Sequence, residues 1–461
     1  MNYVSTRGNA PVLGFADVLL AGLARDGGLY VPQAWPYLEP DVWRALRGRP
    51  YGEVAFAVMG PFVAGSVPDA AFRAMIAAAY RPFHPAVAPL RQLDANQWLL
   101  ELFHGPTLAF KDVAMQLLAR LMDWALEMRG ETATIIAATS GDTGGAAIEA
   151  FRDMERVRVF ILHPHGRVSD VQRRQMTTVA SPSIHNIAIE GTFDDCQGLV
   201  KAMFNDAALR DRVRLAGVNS INWARIMAQI VYYASSALAL GAPDRQVSFT
   251  VPTGNFGDIF AGFVAKRMGL PIDRLVIATN RNDILHRTLR TGRYEVTGVE
   301  PTTSPSMDIQ VSSNFERLLF ELYERNAAAI SRAMADLSQS GAFGLARQPL
   351  ERLRAEFSSG RLDDDAAARL IRQVHETGGE LLDPHTAVGY GVACAEMRPE
   401  VPMVTLATAH AAKFPDAVEA ACGLRPPLPG RLAGLLERPE RFDVLANDYA
   451  RVAGFIAARA G

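Results

Sequence analysis

The chain is poor in lysine, in cysteine, in net charge and in long apolar runs. Of its 47 basic residues only Lys111, Lys201, Lys266 and Lys413 are lysine; the other 43 are arginine. Arginine stays protonated and cannot form an imine, whereas a lysine amine that burial has deprotonated attacks carbonyl carbons. The candidates for imine chemistry are therefore four side chains. The three cysteines, Cys196, Cys394 and Cys422, lie far apart without CxxC spacing, which leaves neither a disulfide framework nor a zinc knuckle and fits the cytoplasm. A formal charge of −2 provides no field for holding nucleic acid or an anionic membrane, so neither is expected as a partner. The most apolar long stretch, Ile226 to Ala242, contains Gln229, Ser235 and Ser236. It falls short of the ~20 apolar residues of a membrane span and reads as a buried helix. The first residues lack a basic head, an apolar core and a small-residue cleavage site, so export is not expected. None of the nine histidines has HExxH or other zinc-ligand spacing, and no metal is expected.

What is present is the pattern of a large α/β protein. At ~150 residues per domain, 461 residues make about three units. Apolar residues at 49% against 21% charged are globular composition. Short β-branched runs are each followed by a glycine-rich turn or a helical pattern, which argues for βαβ units and a mainly parallel sheet. Gln97 to Phe103 leads into HGPTLAFKD and an amphipathic stretch from Val113 to Met128. Thr134 to Thr139 leads into SGDTGGAAIEAF, and Val247 to Val251 into PTGNFGDIFAGF. Val157 to Leu162, Leu275 to Thr279 and Met403 to Ala407 repeat the strand form. Residues 1–90, with helical patterns at Ala16 to Leu23 and Ala70 to Tyr80, read as an N-terminal accessory domain. Residues 283–380, where helical patterns at Asn314 to Leu337 and Asp365 to His375 dominate, read as a helical insertion.

Two strand-to-helix turns are rich in glycine, and both aim backbone N–H groups and the positive end of a helix dipole at one point. In Gly254-Asn255-Phe256-Gly257 the turn carries no acid, and a phosphate fits there. In the loop from Ser140 to Gly145, Asp142 would repel a phosphate, so another group belongs there. Neither turn is GxGxxG or GxxxxGK[ST], which leaves nicotinamide and P-loop assignments without their fingerprint. Lys111 opens a helix among Leu108, Ala109, Phe110, Val113, Ala114 and Met115. Burial there favours the neutral, nucleophilic amine, and a cation at the positive dipole end is otherwise badly placed. The competing reading is a lysine that snorkels to solvent. A reactive lysine, a phosphate cradle and a second polar loop together point to a phosphorylated aldehyde held as an imine, a description that pyridoxal 5′-phosphate meets.

The strings HGPTLAFKD, ATSGDTGGAAIEAF, QMTTV, GTFDDCQ, VNSINWARI, VPTGNFGDIFAGFVAKRMGLPI, IATNRNDIL, MDIQVSSNFERLL and TLATAHAAKF, in this order, resemble threonine synthases of the longer, bacterial and fungal class. The N-terminal STRG and GLARDGGLYVP match the same family. The resemblance implies the tryptophan-synthase-like, fold type II architecture of pyridoxal-phosphate enzymes. In it, a parallel-sheet large domain (91–113 and 216–461) carries the cofactor and a smaller, mobile α/β domain (114–215) closes on it. It also implies conversion of O-phospho-L-homoserine and water to L-threonine and phosphate, the last step of threonine biosynthesis, in a monomer or homodimer. By motif match, Lys111 carries the cofactor, Gly254, Asn255, Phe256 and Gly257 bind its phosphate, and Thr408 faces its ring nitrogen. Asp142 lies by its phenolic oxygen, a place where many relatives have Asn. Ser140, Gly141 and Thr143 take the substrate carboxylate, and the Asn219-Ser220-Ile221-Asn222-Trp223-Ala224-Arg225 stretch takes the substrate phosphate.

Within that stretch Arg225 can fork onto a phosphate, while Asn222 and its neighbours could instead cap a helix. Lys413, five residues after Thr408, is close enough to share the site as a substrate-binding cation. Lys201 and Lys266 sit in amphipathic helical patterns and read as surface charges. His104 and His410 fall inside site strings as helper acids or packing residues. The alternatives are a threonine or serine dehydratase-like lyase of the same fold, which needs no second phosphate site, and a non-catalytic relative. The latter has no need for Lys111, GNFG and Thr408 together.

Overall fold

Strands buried on both faces form two parallel sheets, as the near-continuous apolar runs require. Val247–Pro252 is buried at every position and Val157–Pro164 at all but one. The computed structural model describes residues 1–460. In the six-stranded sheet the order is Phe357–Arg361, Ile272–Thr279, Val247–Pro252, Met403–Ala407, Gln97–Glu101 and Leu90–Asp94. All its pairings are parallel except the last, between Gln97–Glu101 and Leu90–Asp94. The five-stranded sheet runs Asp443–Ala446, Ile184–Glu190, Val157–Pro164, Ala133–Ala138 and Leu215–Ala216, parallel throughout. This is an α/β protein with two parallel sheets. No helix among the described residues is long and apolar enough to cross a membrane.

Residues 1–90 form a three-stranded antiparallel sheet and helices that include Tyr51–Val63 and Asp69–Tyr80. The stretch expected as a buried helix is Trp223–Ala239, with fifteen of its residues buried. Lys111–Arg129 is more than amphipathic: helices on several sides cover it, and thirteen of its residues are buried.

Three expectations need correction. Phe357–Arg361, inside the supposed insertion, is an edge strand of the six-stranded sheet; its sequence FSSGR carries one large apolar residue and hence no period to read. The strand Asp443–Ala446 belongs to the five-stranded sheet, although residues 216–461 were grouped with the other one. The single helical pattern from Asn314 to Leu337 is broken into Phe315–Leu322 and Ala327–Ser340, because Glu324 and Arg325 take left-handed backbone conformations at φ 54° and 61°.

Phe315–Leu322 is the tie between the N-terminal unit and the sheet that carries the site. Glu316 accepts from Thr6 Oγ1 at 2.6 Å and pairs with Arg7 at 2.9 Å. Arg317, fully buried, donates from Nε to the Tyr30 carbonyl at 3.1 Å, and its other nitrogens reach Asn314 Oδ1 and the Ile221 carbonyl. Burial pulls its pKa down to about 9. Three chain segments therefore converge on one guanidinium. Arg317→Met keeps the volume but strands these acceptors, and a loss of about 2–4 kcal/mol is expected. Urea denaturation followed by fluorescence checks it; an unchanged midpoint would show that apolar packing alone holds the three segments.

Candidate active site

The site lies where the parallel strands end at their carboxyl sides, the position at which open α/β sheets bind ligands. Four turns meet there. Gln97–Glu101 leads through residues 104–110 into Lys111–Arg129; Ala133–Ala138 leads into Asp142–Phe151; Val247–Pro252 leads into Gly257–Arg267; and Met403–Ala407 ends at Thr408.

The turn before Lys111 is built around a buried carboxylate. Asp112 accepts from the Thr107 backbone N–H and Oγ1, each at 2.7 Å, and burial raises its pKa to about 6 against those bonds. Gly105 is required here because a Cβ would lie 2.4 Å from Asp112 Cβ. The Thr408 carbonyl accepts from the Phe110 N–H at 2.8 Å, which stitches this turn to the end of the neighbouring strand.

Lys111 is 8% exposed, and its Nζ lies 3.2 Å from Asp142 Oδ2. Burial lowers the Lys111 pKa, and the Lys413 charge adds to that while Asp142 opposes it. Lys413, fully buried, donates to Asp142 Oδ1 at 2.8 Å and to the Thr107 carbonyl at 2.7 Å. Gln172 Nε2 adds a bond to Oδ1 at 2.8 Å, and Ser306 Oγ one to Oδ2 at 3.3 Å. Burial pushes the Asp142 carboxyl up, but Lys111, Lys413 and Gln172 outweigh it and hold it well below the usual carboxylate range. Its place in the first turn of Asp142–Phe151 favours the anion as well. In the same loop the hydroxyls of Ser140 and Thr143 make no hydrogen bond to the chain among the described residues.

The second turn has the shape of an anion cradle. Phe256 adopts a left-handed φ of 64°, a conformation costly for a large side chain. Its ring, 1% exposed, is held 5.3 Å from Phe315 and 5.8 Å from Phe357, so core packing sustains the bend. Ser312 Oγ donates to the Gly254 carbonyl at 2.6 Å, and the Asn314 N–H to the Asn255 carbonyl at 3.0 Å. With the carbonyls thus occupied, the N–H groups of Gly254, Asn255, Phe256 and Gly257 make no hydrogen bond within the described residues. Four unpartnered donors at a helix start are a fitting donor set for a phosphate.

Arg225, 3% exposed, has one long contact, 3.4 Å to the Val218 carbonyl, and an unpartnered Nε. Burial lowers its pKa to about 10. Asn222 is spent on structure: Oδ1 caps the helix Trp223–Ala239 by accepting from the Ala224 N–H, and both amide hydrogens go to the Leu19 and Gly217 carbonyls. Asn219 is exposed, and Ser220 is half-buried with its carbonyl taken by Asn314. Lys266 pairs with Glu356 at 2.8 Å, an external role as expected. His104 bonds to Glu101 at 2.6 Å, and His410 caps the short turn Ala411–Lys413.

A family model described as "Pyridoxal-phosphate dependent enzyme" matches residues 80–360, "Threonine synthase N terminus" matches 2–80 and "Threonine synthase, C-terminal" matches 386–456. The threonine synthase of Pseudomonas aeruginosa is 56% identical over 99% of this chain and 98% of its own length. The chain belongs to the threonine synthase family. The crystal structure of pyridoxal-phosphate-bound threonine synthase from Brucella melitensis, 61% identical, superposes with a TM-score of 0.98 over 100% of this chain and 99% of that one. The Escherichia coli threonine synthase structure, 31% identical, gives 0.85 over 99% and 100%. The chain thus has the α/β, fold type II architecture of pyridoxal-phosphate enzymes. Tomato threonine deaminase isoform 2, at 13% identity and a TM-score of 0.52, shares the fold alone.

Sequence reasoning did not single out Gln172, Ser306, Ser312 or Asn314. Gln172 stands near the quoted QMTTV string and the last two lie inside MDIQVSSNFERLL, so the strings marked the neighbourhood without the contacts. A Cβ on Gly254 would lie 2.6 Å from the Ser306 carbonyl. Gly254→Ala must displace the cradle at a cost of about 1–3 kcal/mol. Cofactor affinity, measured by absorbance on dialysis, is expected to fall by roughly 5- to 150-fold; unaltered retention would remove the loop from the phosphate site.

Proposed function

We propose that this protein converts O-phospho-L-homoserine and water to L-threonine and phosphate at the carboxyl ends of these strands, with Lys111 as the amine that carries pyridoxal phosphate. The observation that carries the reading is the pairing of two separate anion sites around one buried lysine. One is the turn of four unpartnered N–H groups; the other is the unpaired, buried Arg225. A dehydratase has no use for the second.

Pyridoxal phosphate supplies an electron sink for negative charge developing beside the bound amine. The residues around it do the rest. Gly254 to Gly257 would hold its phosphate through backbone N–H groups, and Thr408, 6% exposed, would be a neutral partner for its ring nitrogen. Ser140, Gly141 and Thr143 line the place for the substrate carboxylate at the start of Asp142–Phe151, with the Ser140 and Thr143 hydroxyls as donors, while the Gly141 N–H is given to Thr139 Oγ1 at 2.9 Å. Lys111 would remove the proton at Cα and return protons along the substrate chain, a role that its lowered pKa suits. Arg225 holds the substrate phosphate and stabilises its charge as it leaves Cγ. The cysteines are free, with Cys196 buried, which suits a reducing compartment such as the cytoplasm.

Purified protein given O-phosphohomoserine is expected to release threonine and phosphate in equal amounts; phosphate or an oxoacid without threonine would sink the assignment. Arg225→Met is expected to lower kcat/KM by roughly 10- to 100-fold, the worth of a hydrogen bond to a charged group, with cofactor content unchanged. Loss of cofactor in that variant would move Arg225 to the cofactor phosphate.

A further inference from the structure

Lys413 sits on the short turn that follows Thr408, and its ammonium is already engaged. Of its three N–H donors, one goes to Asp142 Oδ1 at 2.8 Å and one to the Thr107 carbonyl at 2.7 Å, and the side chain is 1% exposed. Lys111 approaches the other carboxylate oxygen at 3.2 Å. One buried anion is thus shared by two lysines, one on each oxygen. Thr107 holds this arrangement from below: its carbonyl also accepts from Gln175 Nε2 at 3.2 Å, and its N–H and hydroxyl are anchored on Asp112.

A substrate-phosphate role does not suit a cation so placed, because moving it to a ligand would leave Asp142 with one fewer counter-charge in a dry site. A base at Lys111, on the other hand, has a specific requirement. The amine must give up its proton while it stays beside Asp142, and a carboxylate with no other counter-ion opposes that step. We propose that Lys413 is a positioning residue that acts through Asp142: it compensates the carboxylate from the oxygen away from Lys111, so that Asp142 orients the Lys111 amine without locking a proton on it. The same neutral pair lets Asp142 stand by the cofactor's phenolic oxygen, where a lone carboxylate would be repelled. The proposal rests on Lys111 as the cofactor-carrying base. The charged groups that face Lys111 are Asp142, Lys413 and Arg225, with Asp258 on the start of Gly257–Arg267; Asp112 lies behind Lys413.

The test reads the protonation of Lys111. In the cofactor-loaded protein it is the pH at which the bound cofactor's absorbance changes. In the full chain without cofactor it is the pH dependence of Lys111 modification by trinitrobenzenesulfonate, located by peptide mass spectrometry. With Lys413→Met the Asp142 charge acts on Lys111 uncompensated, and both midpoints are expected to rise by about one pH unit or more. Lys413→Arg retains the charge and is expected to stay within about half a unit of wild type. The double variant Lys413→Met/Asp142→Asn removes the charges together, folds without a stranded carboxylate and is expected to return towards the wild-type midpoint. Unmoved midpoints in a folded Lys413→Met protein overturn the proposal, as does a rise in KM for O-phosphohomoserine without a shift, which assigns Lys413 to substrate. Should the single variant fail to fold, a double variant displaced by more than about one unit overturns it too. Borohydride reduction followed by peptide mapping decides separately whether the cofactor is on Lys111, so a failure of that reading is told apart from a failure of this one.

Discussion

Everything at the site is arranged around one buried carboxylate. Asp142 is 4% exposed yet ionised, a state whose desolvation cost stands only if cations and hydrogen-bond donors surround it. Its partners come from four remote parts of the chain: Lys111, Gln172, Ser306 and Lys413. The two parallel sheets consequently have a fixed meeting point, since Asp142 follows a strand of one and Lys111 and Lys413 follow strands of the other. Removing a lysine leaves the carboxylate short of a counter-charge and removing Gln172 or Ser306 leaves it short of a hydrogen bond, so the site and the mutual placement of the sheets are held by the same contacts.

A second constraint works on the cradle. The turn from Gly254 to Gly257 offers its N–H groups outward only because its carbonyls are occupied by Ser312 and Asn314 and because the Phe256 ring is fixed in the core. Asn314 also reaches the Ser220 carbonyl and Arg317, which joins the cradle to the segment leading to Arg225. The two anion sites therefore share a scaffold, and the N-terminal unit is tied to that scaffold through Glu316 and Arg317 and to the stretch before Arg225 through the Leu19 carbonyl.

Much of this was legible because it is local. Strand, glycine turn and helix follow one another within some fifteen residues at Lys111, Asp142 and Gly254, and burial of the Lys111 surroundings is written in the apolar residues beside it. What was not legible depends on distance along the chain. Nothing near Ser306 announces that its hydroxyl reaches Asp142, and the polar strand Phe357–Arg361 has pairing partners but no pattern. The spacing of Lys413 from Thr408 suggests a shared site but not its partners, because a cation in a sequence does not reveal that its contacts are Asp142 and the Thr107 carbonyl. Asn222 shows the reverse: side-chain chemistry alone left substrate and cap equally open, and only the carbonyls of Leu19 and Gly217 show where its amide is used.

The edge strand Asp443–Ala446 has a consequence for the order in which the protein can be made. Its partner, Ile184–Glu190, leaves the ribosome long before it, and until residues 443–446 arrive that partner presents open backbone donors and acceptors. Closing so distant a pair carries a large loop-closure entropy and is slow. The helix Tyr449–Ala457 then covers the same sheet through Val452 and Ile456. The half of the active site that bears Asp142 is thus finished by residues synthesised long after the strand they pair with, and a nascent chain stalled before them carries both lysines while the sheet behind their shared carboxylate still has an open edge.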